Sequence, residues 1–118
     1  MINIEFIDTE ILTEEMSDVK DWIRDFVRSY EKEVGELYYF FCSDEYLYKM
    51  NIDLLGHDFY TDIITFPLNE CEEILSAEFH ISVDRVRENA VTFERSFEDE
   101  LHRVMAHGVL HLIGFDDL

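Results

Sequence analysis

The chain has 118 residues, of which 47% are hydrophobic; it can form one hydrophobic core but is too short for two ordinary domains, so we predict a single domain over residues 1–118. No apolar run approaches the roughly 18 residues needed to cross a bilayer, and the first residues lack the basic and apolar segments of a signal peptide, so we predict a soluble, cytoplasmic protein with no membrane contact. The formal net charge of −19 at pH 7 would repel a polyanion, so any contact with nucleic acid must be local.

The first half of the chain predicts a strand, a long helix, a second strand and a short helix. Residues 2–7 alternate apolar and polar side chains, as a strand does. Apolar residues then recur at helical spacing within residues 13–34, and Gly35 is predicted to end that helix. Aromatic residues favour a strand over residues 36–43. A short helix is predicted over residues 44–55.

The second half predicts two strands followed by two helices. Residues 61–68 and 77–83 have strand patterns, separated by an acidic connection. A helix of about ten residues is predicted from Val83. Ser96, followed three residues later by an acidic residue, predicts the start of the final helix, which should run to about Leu112.

The order of these elements predicts the fold class. Strands gathered around one intervening helix, with two consecutive helices at the end, indicate an α+β domain. We predict one four-stranded mixed sheet, packed with about four to five helices largely on one face. The first two strands should be parallel, because a helix-length crossover joins them, while the last two are near enough to form an antiparallel hairpin.

Two histidines stand four residues apart on the final predicted helix. His107 and His111 share one face there, about 6 Å apart along the axis. Two imidazoles so placed can converge on one ion at nitrogen–metal distances of about 2.0–2.1 Å. The pattern taken alone is more often a pair of hydrogen-bonded or surface histidines. A third ligand is therefore needed to favour a metal site.

The residues after the helix supply a candidate for that ligand. Gly114 can adopt the left-handed conformation that turns the chain back, which would bring Asp117 towards His107 and His111. Two nitrogens and one carboxylate leave a position for water, and open sites of this kind are catalytic. We therefore predict that His107, His111 and Asp117 bind one metal ion and form the catalytic centre.

The other histidines do not belong to a comparable pattern in the sequence. His57 and His102 are predicted to have no part in the metal site, and His102 is assigned a solvated or capping position. His80 alternates within the last predicted strand, so it is predicted to be a residue of the strand face.

Three segments resemble a known family. The stretch "HGVLHLIGFDD" resembles the signature H-G-x-L-H-L-x-G-Y-D-H of the YbeY family of rRNA-maturation endoribonucleases, with Asp117 in place of the third histidine. "NIDLLGHDFYTDIITFPL" is similar to that family's N-x-x-[YF]-R-x-x-D-x-P-T-D-V-L-S-F-P segment. "AEFHIS" is similar to its G-D-I-x-I-S strand. The likeness runs from Asn51 to Asp117.

The resemblance implies a zinc-dependent hydrolase that cuts RNA phosphodiesters during ribosome maturation. Its implied partners are rRNA and ribosomal components, and we expect a monomer. Zn²⁺ is the expected ion; Fe²⁺ is the second choice, since two histidines and a carboxylate are also a non-haem iron ligand set. Leu55 stands where the family has an arginine and Tyr60 where it has a proline. The lost arginine removes a cation that could contact phosphate.

Two other functions remain open. Metallopeptidases with an HExxH helix hold zinc in the same way, but Gly108 occupies the position of their general-base glutamate. A non-catalytic, metal-stabilised ribosome-associated factor is favoured by Leu55 and the acidic charge. In either enzyme a proton-transfer group would be needed. The sequence offers Asp62, Glu78 and Asp116 without choosing among them.

Cationic residues form two groups. One recurs at every fourth position along the first helix, interleaved with acidic residues, and is predicted to be a solvated, ion-paired face, with a docking surface as the alternative. The second lies closer in sequence to the histidines and provides the better candidates for phosphate contact. The first group is Lys20, Arg24, Arg28 and Lys32, and the second is Arg85, Arg87, Arg95 and Arg103.

Overall fold

A computed structural model describes residues 1–10, 18–58, 60–68 and 71–114. The predicted fold class is confirmed: these residues form an α+β structure with four strands in one sheet and four helices. The elements are β1 (Ile2–Phe6), α1 (Val19–Ser29), β2 (Glu33–Cys42), α2 (Asp44–Leu55), β3 (Ile63–Pro67), β4 (Ile74–Ser82), α3 (Val83–Thr92) and α4 (Phe97–Ile113). None of the helices described here is both long enough and apolar enough to span a bilayer.

The sheet is mixed, as predicted from the connections. Its strand order is β1-β2-β4-β3. The pairs β1–β2 and β2–β4 are parallel, and β3 pairs with β4 antiparallel through the predicted hairpin. The central strands β2 and β4 therefore carry the side chains that helices can cover on both faces.

The main hydrophobic core lies between one face of the sheet and the helices α1, α3 and α4. Tyr39 and Phe79 stack at its centre, with ring centroids 4.7 Å apart. Each large apolar side chain buried in this way contributes about 1.5–3 kcal/mol to the free energy of folding. The fully buried members include Ile23 and Val27 of α1, Leu37, Tyr39 and Phe41 of β2, Phe79 and Ile81 of β4, and Leu101, Val104 and Met105 of α4.

The opposite face of the sheet is covered in part by α2. Leu47 of α2 packs there against Cys42 and Ile64. His80 lies buried on the same face, where it stacks on Phe40 at 4.8 Å and meets the ring of Phe66 edge-on. It is thus a residue of the strand face, as predicted. Burial lowers the pKa of His80 below its ordinary value, because the charged imidazolium is poorly solvated there.

The first long helix ends five residues earlier than predicted. α1 stops at Ser29, and Glu31 turns the chain with a φ of 60° so that β2 begins at Glu33. Gly35 therefore lies inside β2 and does not end the helix; a Cβ there would lie 2.3 Å from Ser76 Oγ of β4. The helical spacing of apolar residues was outweighed by strand pairing with β4.

The first part of the predicted long helix, residues 13–17, lies outside the described residues. β4 begins at Ile74, three residues before the predicted start, because Ile74 and Leu75 pair with Glu33 and Val34 of β2. The caps agree with the sequence: Ser96 Oγ accepts a hydrogen bond from Asp99 N–H at 3.0 Å.

α4 lies unusually close to the sheet at Gly108. A Cβ at this position would lie 2.7 Å from Ile63 Cδ1 and 2.9 Å from the ring of Phe79, which is closer than real Cβ contacts allow. Glycine therefore permits the helix to lie against β3 and β4. The close contact fixes how far α4 lies from β3 and β4. It therefore also fixes where the neighbouring His107 stands relative to the sheet.

We expect Gly108→Ala to destabilise the protein. Overpacking a filled core costs about 1–3 kcal/mol, which outweighs the gain of up to about 1 kcal/mol from replacing glycine within a helix. Denaturant unfolding measures the difference. Val91→Ala on α3 is the control, because Val91 is 81% exposed and its truncation should change the free energy of unfolding little. Equal or higher stability of Gly108→Ala would contradict the packing argument.

Candidate functional site

His107 and His111 meet on α4. Their Nε2 atoms are 2.9 Å apart, and their ring centroids are 4.6 Å apart. Ligands lie about 2.0–2.1 Å from zinc, so two ligands of one ion must be within about 4.2 Å of each other. At 2.9 Å the two Nε2 atoms are hydrogen-bonded to each other, and this separation also meets the condition for two ligands without movement of the helix. The histidine pair therefore fits two positions of a metal centre.

The electrostatic setting of His107 favours its neutral form. Burial is the main effect that lowers the pKa of His107, and the neighbouring His111 lowers it further. Asp62 acts in the opposite direction, since its negative charge favours the imidazolium. A neutral imidazole is the form that binds metal ions, so the surroundings of His107 suit a ligand.

The histidine pair stands on the wall of a cavity of about 420 Å³. The cavity lies between the end of α2, the segment leading into β3, β3 itself and α4. It is lined by Asn51, Leu55, His57, Thr61, Asp62, Ile63, Ile64, Thr65, His107, Gly108 and His111. Most of this wall comes from the segment "NIDLLGHDFYTDIITFPL", so the two sequence motifs form one site.

His57 also lines this wall, although its sequence context does not place it near the histidine pair. Gly56 ends α2 in the left-handed conformation, with a φ of 68°, and His57 N–H then donates a hydrogen bond to Asn51 O at 3.1 Å. That turn folds the chain back towards His107 and His111. The signal was present in the sequence as a glycine directly before the histidine, but the direction of the turn depends on the packing of α2.

Asp62 is the proton-transfer candidate that the structure brings to the site. Its side chain lines the cavity, and its backbone is held at the start of β3 by the N–H of Ser82 at 3.0 Å. Glu78 does not line the cavity; it lies within β4, paired with Tyr38 and Phe66. Asp116 lies outside the described residues.

Leu55 is the last residue of α2 and borders the cavity. It is 42% exposed, so it is not packed into the core. The position where the resembled family carries an arginine thus faces the same space as the histidine pair.

Among the four arginines near the final helix, Arg103 is the one that reaches the site. It lies one helical turn before His107, and its Nη2 is 3.8 Å from Asp62 Oδ2. The other three are held elsewhere: Arg85 by Asp44 at 2.8 Å, Arg87 over the Phe97 ring at 4.3 Å, and Arg95 by Glu100 at 3.1 Å.

The cationic row on α1 is ion-paired at the surface. Arg24 Nη1 lies 2.9 Å from Asp21, and Arg28 Nε lies 3.4 Å from Glu33. Exposed pairs of this kind contribute about 0–1 kcal/mol to stability. The contacts fit the predicted solvated face.

The third predicted ligand, Asp117, lies outside the described residues. Gly114 does end α4 in the left-handed region, with a φ of 118°, as predicted. Within residues 1–10, 18–58, 60–68 and 71–114, no cluster of three histidine, cysteine or acidic side chains is near enough to hold one ion. The complete ligand set therefore stays a prediction. His102 is away from the pair and stacks on Trp22 at 4.3 Å.

The geometry at Gly108 bears on the peptidase alternative. A side chain at this position would meet Ile63 and Phe79 within 2.9 Å of its Cβ. A glutamate could stand there only if α4 moved away from Ile63 and Phe79. The helix is therefore poorly built for the HExxH mechanism, which needs that glutamate beside the ion.

Known proteins are similar to this chain in sequence and in fold. Residues 3–118 match the family model described as Endoribonuclease YbeY. A protein of that name from Cytophaga hutchinsonii is 44% identical over 93% of this chain and 77% of its own length. Its namesake from Flavobacterium johnsoniae is 45% identical over 99% of this chain and 83% of its own length. The solution structure of TM1509 from Thermotoga maritima superposes with a TM-score of 0.69 at 30% identity, covering 100% of this chain and 75% of that one.

Proposed function

This chain belongs to the YbeY family of endoribonucleases, and from that premise we propose that it is a metal-dependent hydrolase that cuts RNA phosphodiesters during rRNA processing. One observation carries the metal-dependent part: the Nε2 atoms of His107 and His111 lie 2.9 Å apart on the wall of a cavity that also holds Asp62. Two imidazole nitrogens, one nearby carboxylate and space for a ligand are what metal-assisted hydrolysis requires.

The proposed ion is Zn²⁺, held by His107, His111 and Asp117, with Fe²⁺ as the second choice. When bound, such an ion polarises a phosphoryl oxygen and lowers the pKa of bound water. A carboxylate as the third ligand lowers the formal charge of the site by one unit relative to three histidines, and two-histidine-one-carboxylate zinc sites remain hydrolytic.

Proton transfer, contact with the RNA and exclusion of water are assigned to residues of this chain. Asp62 stands beside His107 and is the proposed acceptor of a proton within the cavity, and Arg103 Nη2 lies 3.8 Å from its carboxylate. The residue Thr61 lines the same cavity, and its hydroxyl can hydrogen-bond to an RNA backbone. Leu55, Ile63 and Ile64 form an aliphatic part of the cavity wall, which would limit the access of water to a bound ion.

The proposed setting is the cytoplasm, with rRNA and ribosomal components as partners and the protein as a monomer. The net charge of −19 makes distant electrostatic attraction to RNA unfavourable, so affinity must come from the site and its borders. The acidic charge, together with Leu55, also favours the second candidate function: a metal-stabilised factor without catalytic activity. The peptidase reading is weaker because of the packing at Gly108.

Purified protein is expected to hold one divalent ion per chain. His107→Ala should reduce metal content well below one per chain and weaken zinc affinity by at least about 10-fold, because a ligand is removed. Elemental analysis and calorimetric titration measure both. His102→Ala is the matched control, since His102 lies on the same helix but stacks on Trp22. A zinc content and zinc affinity of His107→Ala equal to those of the unmodified protein would contradict the proposed site.

Cleavage assays separate the candidate functions. The metal-loaded protein is incubated separately with a structured RNA and with an unfolded polypeptide. We expect cleavage of RNA alone, abolished by a chelator, and a loss of about 10²–10⁴-fold in rate for Asp62→Asn with its metal retained. Cleavage of polypeptide alone would favour the peptidase. Metal-dependent thermal stability without cleavage of either substrate would favour the non-catalytic factor.

Leu55→Arg should raise RNA cleavage. The new guanidinium would border the cavity and could contact a phosphate, with a gain of about 5- to 10-fold at low salt. That gain should shrink with added salt, because exposed charges are screened over about 8–10 Å at moderate ionic strength. Rates at several salt concentrations, with thermal melting of the same variant, provide the test.

Leu54→Arg is the matched control for this substitution. Leu54 precedes Leu55, is 61% exposed and does not line the cavity, so the same charge is added outside the site. An equal gain in both variants would indicate a general charge effect. Lower cleavage together with a lower melting temperature for Leu55→Arg would show that the leucine serves stability.

A further inference from the structure

A second cleft adjoins the candidate catalytic cavity. It has a volume of about 350 Å³ and lies between α1 and α4. Its walls are Phe26, Tyr30, Arg103, Ala106, His107 and Leu110. His107 borders both spaces, so a molecule lying over the histidine pair could extend directly into the cleft. The proposed hydrolysis itself makes no use of this cleft.

One wall of the cleft is the end of an aromatic row on α1. Trp22, Phe26 and Tyr30 are spaced by one helical turn, with ring centroids 5.5 Å and 5.4 Å apart along the row. At one end Trp22 stacks on His102 and thereby holds α1 against α4. At the other end the ring of Tyr30 is 38% exposed. The row thus presents aromatic surface to solvent where the cleft opens.

The other wall holds a guanidinium in a fixed orientation. Arg103 donates from Nε and Nη2 to the carboxylate of Glu100, with distances of 3.0 Å and 2.7 Å, and Arg95 binds the same carboxylate at 3.1 Å. Glu100 is fully buried. Arg103 and Arg95 are 42% and 44% exposed, so only the carboxylate of this cluster is buried. The contact with Glu100 holds the guanidinium of Arg103 at the mouth of the cleft.

We propose that this cleft binds the base of a nucleotide next to the phosphate that is cut. The base would stack on the aromatic wall of Phe26 and Tyr30 and contact the guanidinium of Arg103. Aromatic rings and arginine planes are the surfaces on which unpaired RNA bases stack, with little dependence on sequence. The assignment rests on the proposed function, since it takes RNA as the substrate.

The charge of the chain favours this mode of binding. A protein with a net charge of −19 gains little from phosphate attraction, whereas stacking of a base requires no net positive charge. The cationic row on α1 cannot serve the cleft. Arg24 and Arg28 follow Trp22 and Phe26 by two positions, about 200° around the helix, and so lie on the other side of α1.

The test measures binding without cleavage. Chelator-treated protein is titrated into two labelled eight-nucleotide RNAs, one of adenylates and one with every base removed, and fluorescence anisotropy gives each affinity. Both RNAs carry the same phosphates, so their ratio isolates the contribution of the bases. We expect the unmodified protein to prefer the base-containing RNA, and Tyr30→Ala to reduce that preference by roughly 5- to 100-fold. Tyr30→Phe should keep most of it, because the ring remains.

Two further variants test whether the effect of Tyr30→Ala is specific to the cleft. Tyr46 on α2 is 39% exposed and does not line the cleft, so Tyr46→Ala should keep the preference for bases. Ala106→Leu should reduce the preference by filling the cleft, while thermal melting shows that the fold is kept. Equal preference in the unmodified protein and Tyr30→Ala, or an equal loss in Tyr46→Ala, would overturn the assignment.

The two proposals fail in different ways. If the protein prefers bases through Tyr30 but cuts no RNA, the cleft stands as an RNA-binding site and the hydrolase proposal falls. If the metal-loaded protein cuts RNA while affinity shows no dependence on bases or on Tyr30, the hydrolase stands and the cleft assignment is wrong.

Discussion

The candidate site depends on the close approach of α4 to the sheet. Gly108 has no Cβ, and this lets the helix rest on Ile63 of β3 and Phe79 of β4. The neighbouring His107 is thereby held beside Asp62, which stands just before β3. A helix displaced outward by one methyl group would change the distance from the histidine pair to every group on that strand. The core packing and the geometry of the site are therefore one constraint.

The same helix links the two spaces around His107. Its inner side carries the buried residues Leu101, Val104 and Met105, while His111 and Arg103 are exposed and His107 is half-buried. Arg103 is bound to Glu100 on one side and lies near Asp62 on the other. One guanidinium thus faces two carboxylates close to the histidine pair. Such a local cation matters because the chain as a whole is strongly acidic.

Residues 55–57 include the position at which the resembled family pattern has an arginine. Leu55 and His57 flank Gly56, and both residues border the cavity. A leucine offers no charge to a phosphate, but an imidazole can donate a hydrogen bond in either protonation state. Within the described residues, the cavity wall therefore retains a polar group close to the position at which the cation is lost.

The sequence by itself determined the fold class, the mixed sheet and the pairing of His107 with His111. These follow from local periodicity and connection length, because residues four apart on a helix must share a face whatever packs around it. The cap at Ser96 was equally predictable, since its hydroxyl accepts a hydrogen bond from the backbone N–H three residues on. Long-range contacts decided the rest. Gly35 entered β2 because strand pairing outweighed helical spacing, and His57 joined the site because α2 packs on the second face of the sheet. Asp62 reached the cavity and Glu78 did not, since the sheet and α4 decide which strand positions face the histidine pair.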